Sequence, residues 1–121
     1  MITLICGHSR AGKTTYSERY DGICPVLHFD EIRSHEKINS AVGSVTGDIV
    51  VEGIYYERHE REELLKANKG KGSRCIYLDT PVEIRRKRMK RNIRDFPFPC
   101  PTKDEGWDEI IVIREKNNGN T

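Results

Sequence analysis

The sequence predicts an α/β domain, and three features of its pattern predict this class. Short apolar runs rich in β-branched residues recur along the 121-residue chain. Longer polar stretches of helical character separate them, as expected when helices connect parallel strands. A glycine-rich segment, residues 7–14, lies between the first apolar run and the first helical stretch.

Five apolar runs have the length and the branched side chains of buried strands. The predicted strands lie near Ile2 to Cys6, Pro25 to Phe29, Asp48 to Gly53, Arg74 to Asp79 and Glu109 to Arg114. Their alternation with helical stretches predicts a parallel sheet.

Three helices are predicted between these strands: Lys13 to about Tyr20, Glu57 to about Asn68, and Pro81 to about Ile93. Pro81 suits a first helical turn because no hydrogen bond is lost there, and Thr80 is a good N-cap. Asn68-Lys69-Gly70 is typical of the end of a helix.

Two segments are less regular. Within Arg33 to Gly47, the stretch from Glu36 to Val42 has helical character, but Gly43, Ser44 and Gly47 interrupt it, so this segment is ambiguous. Residues 95–101, DFPFPCP, contain three prolines. Proline interrupts both helices and central strands, so this stretch is predicted to be a loop or an extended connector.

The length predicts one domain, residues 1–116, followed by a frayed tail at 117–121. A net charge of +2 is too small to indicate nucleic-acid binding by bulk electrostatics. The four cysteines are far apart and form no C-x-x-C pair, so neither a zinc site nor a disulfide framework is predicted. With no apolar stretch of membrane-spanning length and no signal sequence, we expect a cytoplasmic protein without a membrane partner.

The segment GHSRAGKT at residues 7–14 satisfies the pattern G-x-x-x-x-G-K-[ST] and stands between a strand and a helix. In that context the backbone N–H groups enclose phosphates. Lys13 is predicted to hold the β and γ oxygens of a nucleoside triphosphate, and the Thr14 hydroxyl to bind Mg²⁺. The alternative is an ordinary glycine-rich turn. Predicted nucleotide contacts are Gly7, Ser9, Arg10, Ala11, Gly12, Lys13, Thr14 and Thr15, while the side chains of His8 and Ser9 are expected to point outward.

Two carboxylates end predicted strands, Asp30 the second and Glu52 the third. Ligands of open parallel sheets bind beyond the carboxyl ends of the strands, so both should face the phosphates. Asp30 is predicted to be a general base, with Arg33 holding an anion on the acceptor; the alternative is a helix-capping Asp with a solvated Arg. Glu52 is predicted to hold Mg²⁺ through water or to orient the acceptor, or else to be a structural carboxylate bonded to backbone N–H groups.

Residues 85–94, RRKRMKRNIR, contain seven basic residues and no acidic one, and we call them the arginine run. Arg88, Arg91 and Arg94 share one helical face. The run is predicted to be a lid over about residues 85–101, with Arg88 and Arg91 contacting the donor phosphates. A nucleic-acid patch and a solvated helix face are the alternatives.

Trp107 is the single tryptophan of the chain and precedes the last predicted strand. It could stack on a nucleobase, but an anchor that covers the edge of the sheet is the favoured interpretation.

Taken in order, GHSRAGKT, HFDEIR, DIVVEG and YLDTPVEIRRKRMKR resemble the kinase domain of phage-type 5′-hydroxyl polynucleotide kinases. The chain is also similar to the wider group of small P-loop kinases. This resemblance implies a three-layer sandwich with a five-stranded parallel sheet in the order 2-3-1-4-5. It implies that Lys13 and Thr14 hold ATP and Mg²⁺, that Asp30 is the base, and that Arg33 grips the phosphate beside the acceptor hydroxyl. A lid arginine, Arg91 in this chain, would contact the donor phosphates.

The sequence therefore predicts an ATP- and Mg²⁺-dependent kinase for the 5′-hydroxyl end of DNA or RNA. One alternative is a P-loop kinase for a small hydroxylated metabolite or nucleotide. The other is a nucleoside triphosphate-binding switch without an acceptor. The sequence leaves the oligomeric state open.

Overall fold

The computed structural model describes residues 1–89 and 97–114. The strands are β1 (Ile2–Cys6), β2 (Val26–His28), β3 (Ile49–Glu52), β4 (Ser73–Asp79) and β5 (Glu109–Arg114). The helices are α1 (Lys13–Ser17), α2 (Phe29–Ile32), α3 (His35–Ser44), α4 (Arg58–Asn68) and α5 (Val82–Met89). Two short 3₁₀ turns, Glu18–Tyr20 and Lys103–Glu105, complete the described elements.

The five strands form one parallel sheet in the order β2-β3-β1-β4-β5, which confirms the predicted order. Every residue of the central strands β1 and β3 is buried. Strands covered on both faces need continuous apolar sequence rather than alternation, which is why ITLIC was recognisable. The carboxyl ends of β1, β2 and β3 lie together at one edge of the sheet.

Helices cover both faces of this sheet. On one face Ile38 and Val42 of α3 and Leu64 of α4 join alternate residues of β1 in the larger apolar cluster. On the other face Ile5 of β1 packs with Ala11 and, at the margin, with Tyr16 of α1. The layers therefore follow from the alternation of side chains along each strand.

All strand ends agree with the predicted ends to within one residue, but the prediction that Asp30 ends the second strand is wrong. Because β2 stops at His28, Asp30 lies in the four-residue helix α2 and not at the end of a strand. α1 also stops early, at Ser17, and its predicted last turn is the 3₁₀ turn Glu18–Tyr20.

α5 begins at Val82, one residue after Pro81, its predicted first residue. The Pro81 carbonyl accepts the backbone N–H of Arg85, so Pro81 itself precedes the helix. The Thr80 hydroxyl donates to the Ala11 carbonyl at 2.8 Å, which directs it toward the phosphate loop. The predicted continuation of α5 to Ile93 and the predicted tail, 117–121, fall outside the described residues.

The ambiguous segment from Arg33 to Gly47 contains a helix, α3. Its N-cap is Ser34, whose hydroxyl accepts the backbone N–H of Lys37 at 3.2 Å. Packing of its apolar stripe against α4 and the sheet outweighs the cost of about 1 kcal/mol for the internal Gly43. Among the described residues, no helix is long and apolar enough to cross a membrane.

Candidate active site

The phosphate loop connects β1 to α1 at the carboxyl edge of the sheet. Both glycines of the loop have positive φ angles, 146° at Gly7 and 100° at Gly12. A methyl group on Gly7 would lie 2.7 Å from the Leu78 carbonyl oxygen, closer than any side chain tolerates. Glycine is therefore required at Gly7 both by the backbone conformation and by the approach of β4.

Lys13 opens α1 and is only 8% exposed. Its Nζ donates a hydrogen bond of 2.7 Å to the His8 carbonyl oxygen. Burial lowers the pKa of Lys13, and the nearby carboxylates of Glu52 and Asp30 partly offset that effect. An ammonium group has three N–H donors, so the bond to His8 leaves two for phosphate oxygens.

Thr14, Glu52 and His28 meet at one carboxylate oxygen. The Thr14 hydroxyl donates to Glu52 Oε1 at 3.0 Å, and His28 Nδ1 lies 2.9 Å from the same oxygen. Glu52 is 4% exposed, so these partners compensate part of the cost of burying a charge. The alternative prediction for Glu52, hydrogen bonds from backbone N–H groups, is wrong for the described residues, because both donors are side chains.

Oxygen ligands are what Mg²⁺ prefers, and the Thr14 hydroxyl and the Glu52 carboxylate supply two neighbouring ones. No group of three or more His, Cys, Asp or Glu side chains that could cage a metal ion occurs among the described residues. Mg²⁺ at nucleotide sites usually has one or two protein ligands and takes the rest from phosphates and water. The residues present therefore fit Mg²⁺ bound together with a nucleotide.

Asp30 lies on α2 and lines the same cleft as the phosphate loop. This cleft has a volume of about 760 Å³ and is also lined by residues 9–15 and Glu52. The predicted grouping of Asp30 and Glu52 around the loop is thus present, although Asp30 reaches it from a helix.

Arg33 is exposed and does not line the cleft. It ends α2 in the left-handed conformation, with φ at 55°, and its Nε donates to the Asp30 carbonyl oxygen at 3.1 Å. Arg33 therefore lies next to Asp30 but does not line the cleft.

Two arginines in the described part of the arginine run, residues 85–89, make hydrogen bonds to backbone oxygens, and one of them reaches the phosphate loop, although Arg88 and Lys87 are also exposed to solvent. Arg88 lines the cleft and donates from a terminal guanidinium nitrogen to the Arg10 carbonyl oxygen at 3.0 Å. Arg85 is buried and donates to the Thr80 carbonyl oxygen at 3.0 Å. The prediction of a lid contact stays open for Arg91, which falls outside the described residues, as does Arg94.

The ring of His8 is buried, so its predicted outward orientation is wrong, whereas Ser9 is exposed as expected. The His8 and Phe98 rings pack in a T-shaped arrangement, with the ring centroids 5.2 Å apart. Phe98 also stacks on Tyr77 of β4, with centroids 5.0 Å apart. Phe98, in the described part of the proline-rich stretch (residues 97–101), therefore packs against His8 of the phosphate loop.

Trp107 is buried in the larger core cluster, and its indole N–H donates to Glu105 Oε1 at 3.0 Å. This agrees with its predicted role as an anchor, and the ring is not exposed for stacking on a base. His28 was not predicted as a site residue, because its contact with Glu52 depends on the β2–β3 register.

No family model and no curated protein match this sequence. Solved structures do match it. A sugar kinase from Janibacter sp. HTCC2649 superposes with a TM-score of 0.68 at 16% identity, over 93% of this chain and 84% of that one. A gluconokinase from Sinorhizobium meliloti 1021 gives 0.65 at 17% identity, over 93% and 81%. Kti12 from Chaetomium thermophilum, in complex with ADP-AlF3, gives 0.60 at 16% identity, over 99% and 92%.

The similarity extends over nearly the whole chain, while the identity is low. It agrees with the strand order and with the position of the glycine-rich loop after β1. The chain therefore has the fold of the P-loop kinases.

Proposed function

We propose that this chain is an ATP- and Mg²⁺-dependent kinase that transfers the γ-phosphoryl group to the 5′-hydroxyl end of DNA or RNA. The observation that carries the proposal is the single cleft that Lys13, Thr14, Glu52 and Asp30 line together. Groups for a triphosphate, a metal ion and an acceptor hydroxyl are thereby within reach of one another.

On the donor side, the N–H groups of the phosphate loop and the Lys13 ammonium would bind the β- and γ-phosphates. Arg88 lines the same end of the cleft and would add positive charge near the donor. Mg²⁺, held by Thr14 and through water by Glu52, would neutralise charge on the phosphate oxygens when bound. Neutralising the negative charge of the phosphate oxygens reduces their repulsion of an attacking hydroxyl, which can then approach the phosphorus atom.

On the acceptor side, Asp30 would accept the proton of the attacking hydroxyl. The new bond joins that oxygen to the γ-phosphorus, and the bond from phosphorus to the β–γ bridging oxygen breaks. ADP leaves with the electron pair of that bond, and the proton remains on the Asp30 carboxyl until it passes to solvent. The protein positions the groups and contributes no covalent intermediate.

The position of Arg33 supports a polymeric acceptor. Its guanidinium donates to the Asp30 carbonyl oxygen, and Arg33 does not line the cleft. A nucleic-acid backbone that crosses the mouth of the cleft would place a phosphate near Arg33 when its terminal hydroxyl meets Asp30. A small acceptor enclosed in the cleft would have less use for a cation there.

A kinase for a small hydroxylated metabolite is the second candidate. The observation that favours it is the fold similarity to proteins named as a sugar kinase and a gluconokinase. It shares the donor side with the first candidate and differs only in the acceptor.

The test is an acceptor panel with γ-labelled ATP. Oligonucleotides with a 5′-hydroxyl should gain label, and the same oligonucleotides with a 5′-phosphate should not. Sugars, gluconate and nucleosides form the second arm. Label on these alone would replace the first proposal with the second, and label released only as inorganic phosphate would contradict both.

A further inference from the structure

We infer that His28 is a positioning residue that fixes Glu52 and, through Glu52, sets the orientation of the Thr14 hydroxyl. The inference deepens the proposed function, because it concerns the groups that would hold the nucleotide-bound metal ion. It assigns His28 no contact with nucleotide or acceptor.

The register of β2 and β3 brings His28 and Glu52 together. His28 is the last residue of β2, and Glu52 is the last residue of β3, directly opposite it. Paired residues of neighbouring strands point to the same face of the sheet, so the pairing places the imidazole next to the carboxylate. The resulting separation is 2.9 Å between His28 Nδ1 and Glu52 Oε1.

The chemistry of the two groups fixes the direction of this hydrogen bond. An ionised carboxylate only accepts hydrogen bonds, so the proton of the contact must be on His28 Nδ1. Thr14 donates its single hydroxyl proton to the same oxygen. Glu52 Oε1 thus receives one donor from β2 and one from α1.

This arrangement determines which lone pairs face the cleft. The Thr14 hydroxyl has only one proton, and it donates that proton in the hydrogen bond to Glu52. The lone pairs of the Thr14 oxygen therefore remain for a metal ion. Among the described residues, no donor is bonded to the second Glu52 oxygen, Oε2, so that oxygen remains for a water of the metal shell. If the Glu52 carboxylate rotated, the Thr14 hydroxyl and the Glu52 Oε2 oxygen would both lose their orientation toward the metal ion.

His28 is the group that prevents this rotation. Its ring is partly buried, with 24% of the side chain exposed, so it does not move freely. Partners that orient metal ligands in this way typically change metal affinity 10- to 100-fold when they are removed. We therefore expect His28 to act on Mg²⁺-dependent nucleotide binding and not on nucleotide binding in general.

The experiment measures binding of a fluorescent ATP analogue with Mg²⁺ and with excess EDTA. His28→Phe keeps an aromatic ring and removes the donor; His28→Asn places an amide N–H near the position of Nδ1. We expect His28→Phe to weaken binding about 10- to 100-fold with Mg²⁺ and to leave binding in EDTA unchanged. His28→Asn should restore most of the affinity. His59→Phe, an exposed histidine on α4, is the matched control, and thermal melting checks the fold of each variant.

Glu52→Gln supplies a second test, because His28 acts only through that carboxylate. In the Glu52→Gln background, His28→Phe should cause no further loss. Equal binding by His28→Phe and the wild type, or an equal loss in EDTA, would overturn the inference while leaving the proposed kinase intact. A wild-type chain that binds no nucleotide would overturn both.

Discussion

At Gly7 the chain leaves β1 and turns into the phosphate loop with a backbone that only glycine adopts easily. The approach of the Leu78 carbonyl oxygen closes the space that a side chain would need. The loop can therefore present its N–H groups inward only while this position lacks a Cβ atom.

Gly7→Ala should weaken ATP binding, because a strained backbone costs about 1–3 kcal/mol, or roughly 5- to 150-fold in affinity. Gly47→Ala is the control, since a Cβ atom at position 47 would contact no atom within 4 Å and Gly47 has no positive φ angle. Fluorescence titration with an ATP analogue measures both variants. Wild-type affinity in Gly7→Ala would show that the loop tolerates a side chain and would contradict this account.

Arg33 is expected to act on the acceptor through charge. Arg33→Gln should raise KM for a 5′-hydroxyl oligonucleotide and leave nucleotide binding unchanged. If one phosphate contact is lost, the slope of log KM against log salt should fall by about one. Lys37→Gln, on the exposed side of α3, should leave that slope unchanged. An identical salt dependence in Arg33→Gln and the wild type would argue against a contact between Arg33 and the nucleic-acid backbone.

At the scale of elements, α4 is linked to the segment before β5 by a buried ion pair. Arg61 and Glu105 are each 1% exposed in their side chains and form two hydrogen bonds, of 2.9 and 2.8 Å. Arg61 also donates to the carbonyl oxygens of Tyr55 and Tyr56. The pair therefore holds α4, the loop after β3 and the 3₁₀ turn before β5 in one arrangement.

Glu105 also predicts a pH dependence of stability. Burial alone would raise its pKa, but hydrogen bonds from Arg61 and Trp107 outweigh burial and lower the pKa below 4.5, its usual value. The Glu105 carboxylate therefore binds a proton more readily in the unfolded chain than in the folded one. The stability from this carboxylate is complete above pH 4.5 and is lost as the pH falls through the lowered pKa.

Glu105→Gln should lower the free energy of unfolding by about 3–5 kcal/mol near neutral pH, because Arg61 would stay buried without a counter-charge. The variant should also lose less stability than the wild type on acidification. Urea unfolding at pH 7 and at low pH measures both effects, with the exposed Glu63→Gln as control. A variant as stable as the wild type at neutral pH would show that the pair does not hold these elements.

Element prediction succeeded where the signal was local. α4 runs from Arg58 to Asn68, close to the predicted bounds, and ends at left-handed Lys69 within the predicted stop Asn68-Lys69-Gly70. Its start has a capping box between Glu57 and Glu60, which was not predicted. α3 was ambiguous because Gly43 weakens its pattern. Its stability comes from Ile38 and Val42 packing against other elements, which a local pattern does not contain.

At the scale of the whole molecule, the fold class and strand order were predictable. The apolar runs of β1 and β3 and the glycine-rich loop between β1 and α1 are signals of this architecture, and the order of the strands followed from the resemblance. Asp30 and Glu52 also lie at the expected edge of the sheet.

Contacts between distant parts of the chain were not predictable. The ring of His8 contacts Phe98 from a distant part of the chain, and the pairing of Arg61 with Glu105 joins residues 44 positions apart. His28 meets Glu52 only when β2 and β3 pair in the observed register. In each case the tertiary fold, and not a local pattern, determines the partner.

The most direct test of the central claim is transfer of label from γ-labelled ATP to a 5′-hydroxyl oligonucleotide by the wild type and by Asp30→Asn. Loss of a general base lowers the rate by about 10²- to 10⁴-fold. We expect kcat to fall by that amount while the affinity for ATP is retained, with Glu31→Gln, an exposed neighbour on α2, close to wild type. No transfer by the wild type, or undiminished transfer by Asp30→Asn, would contradict the account.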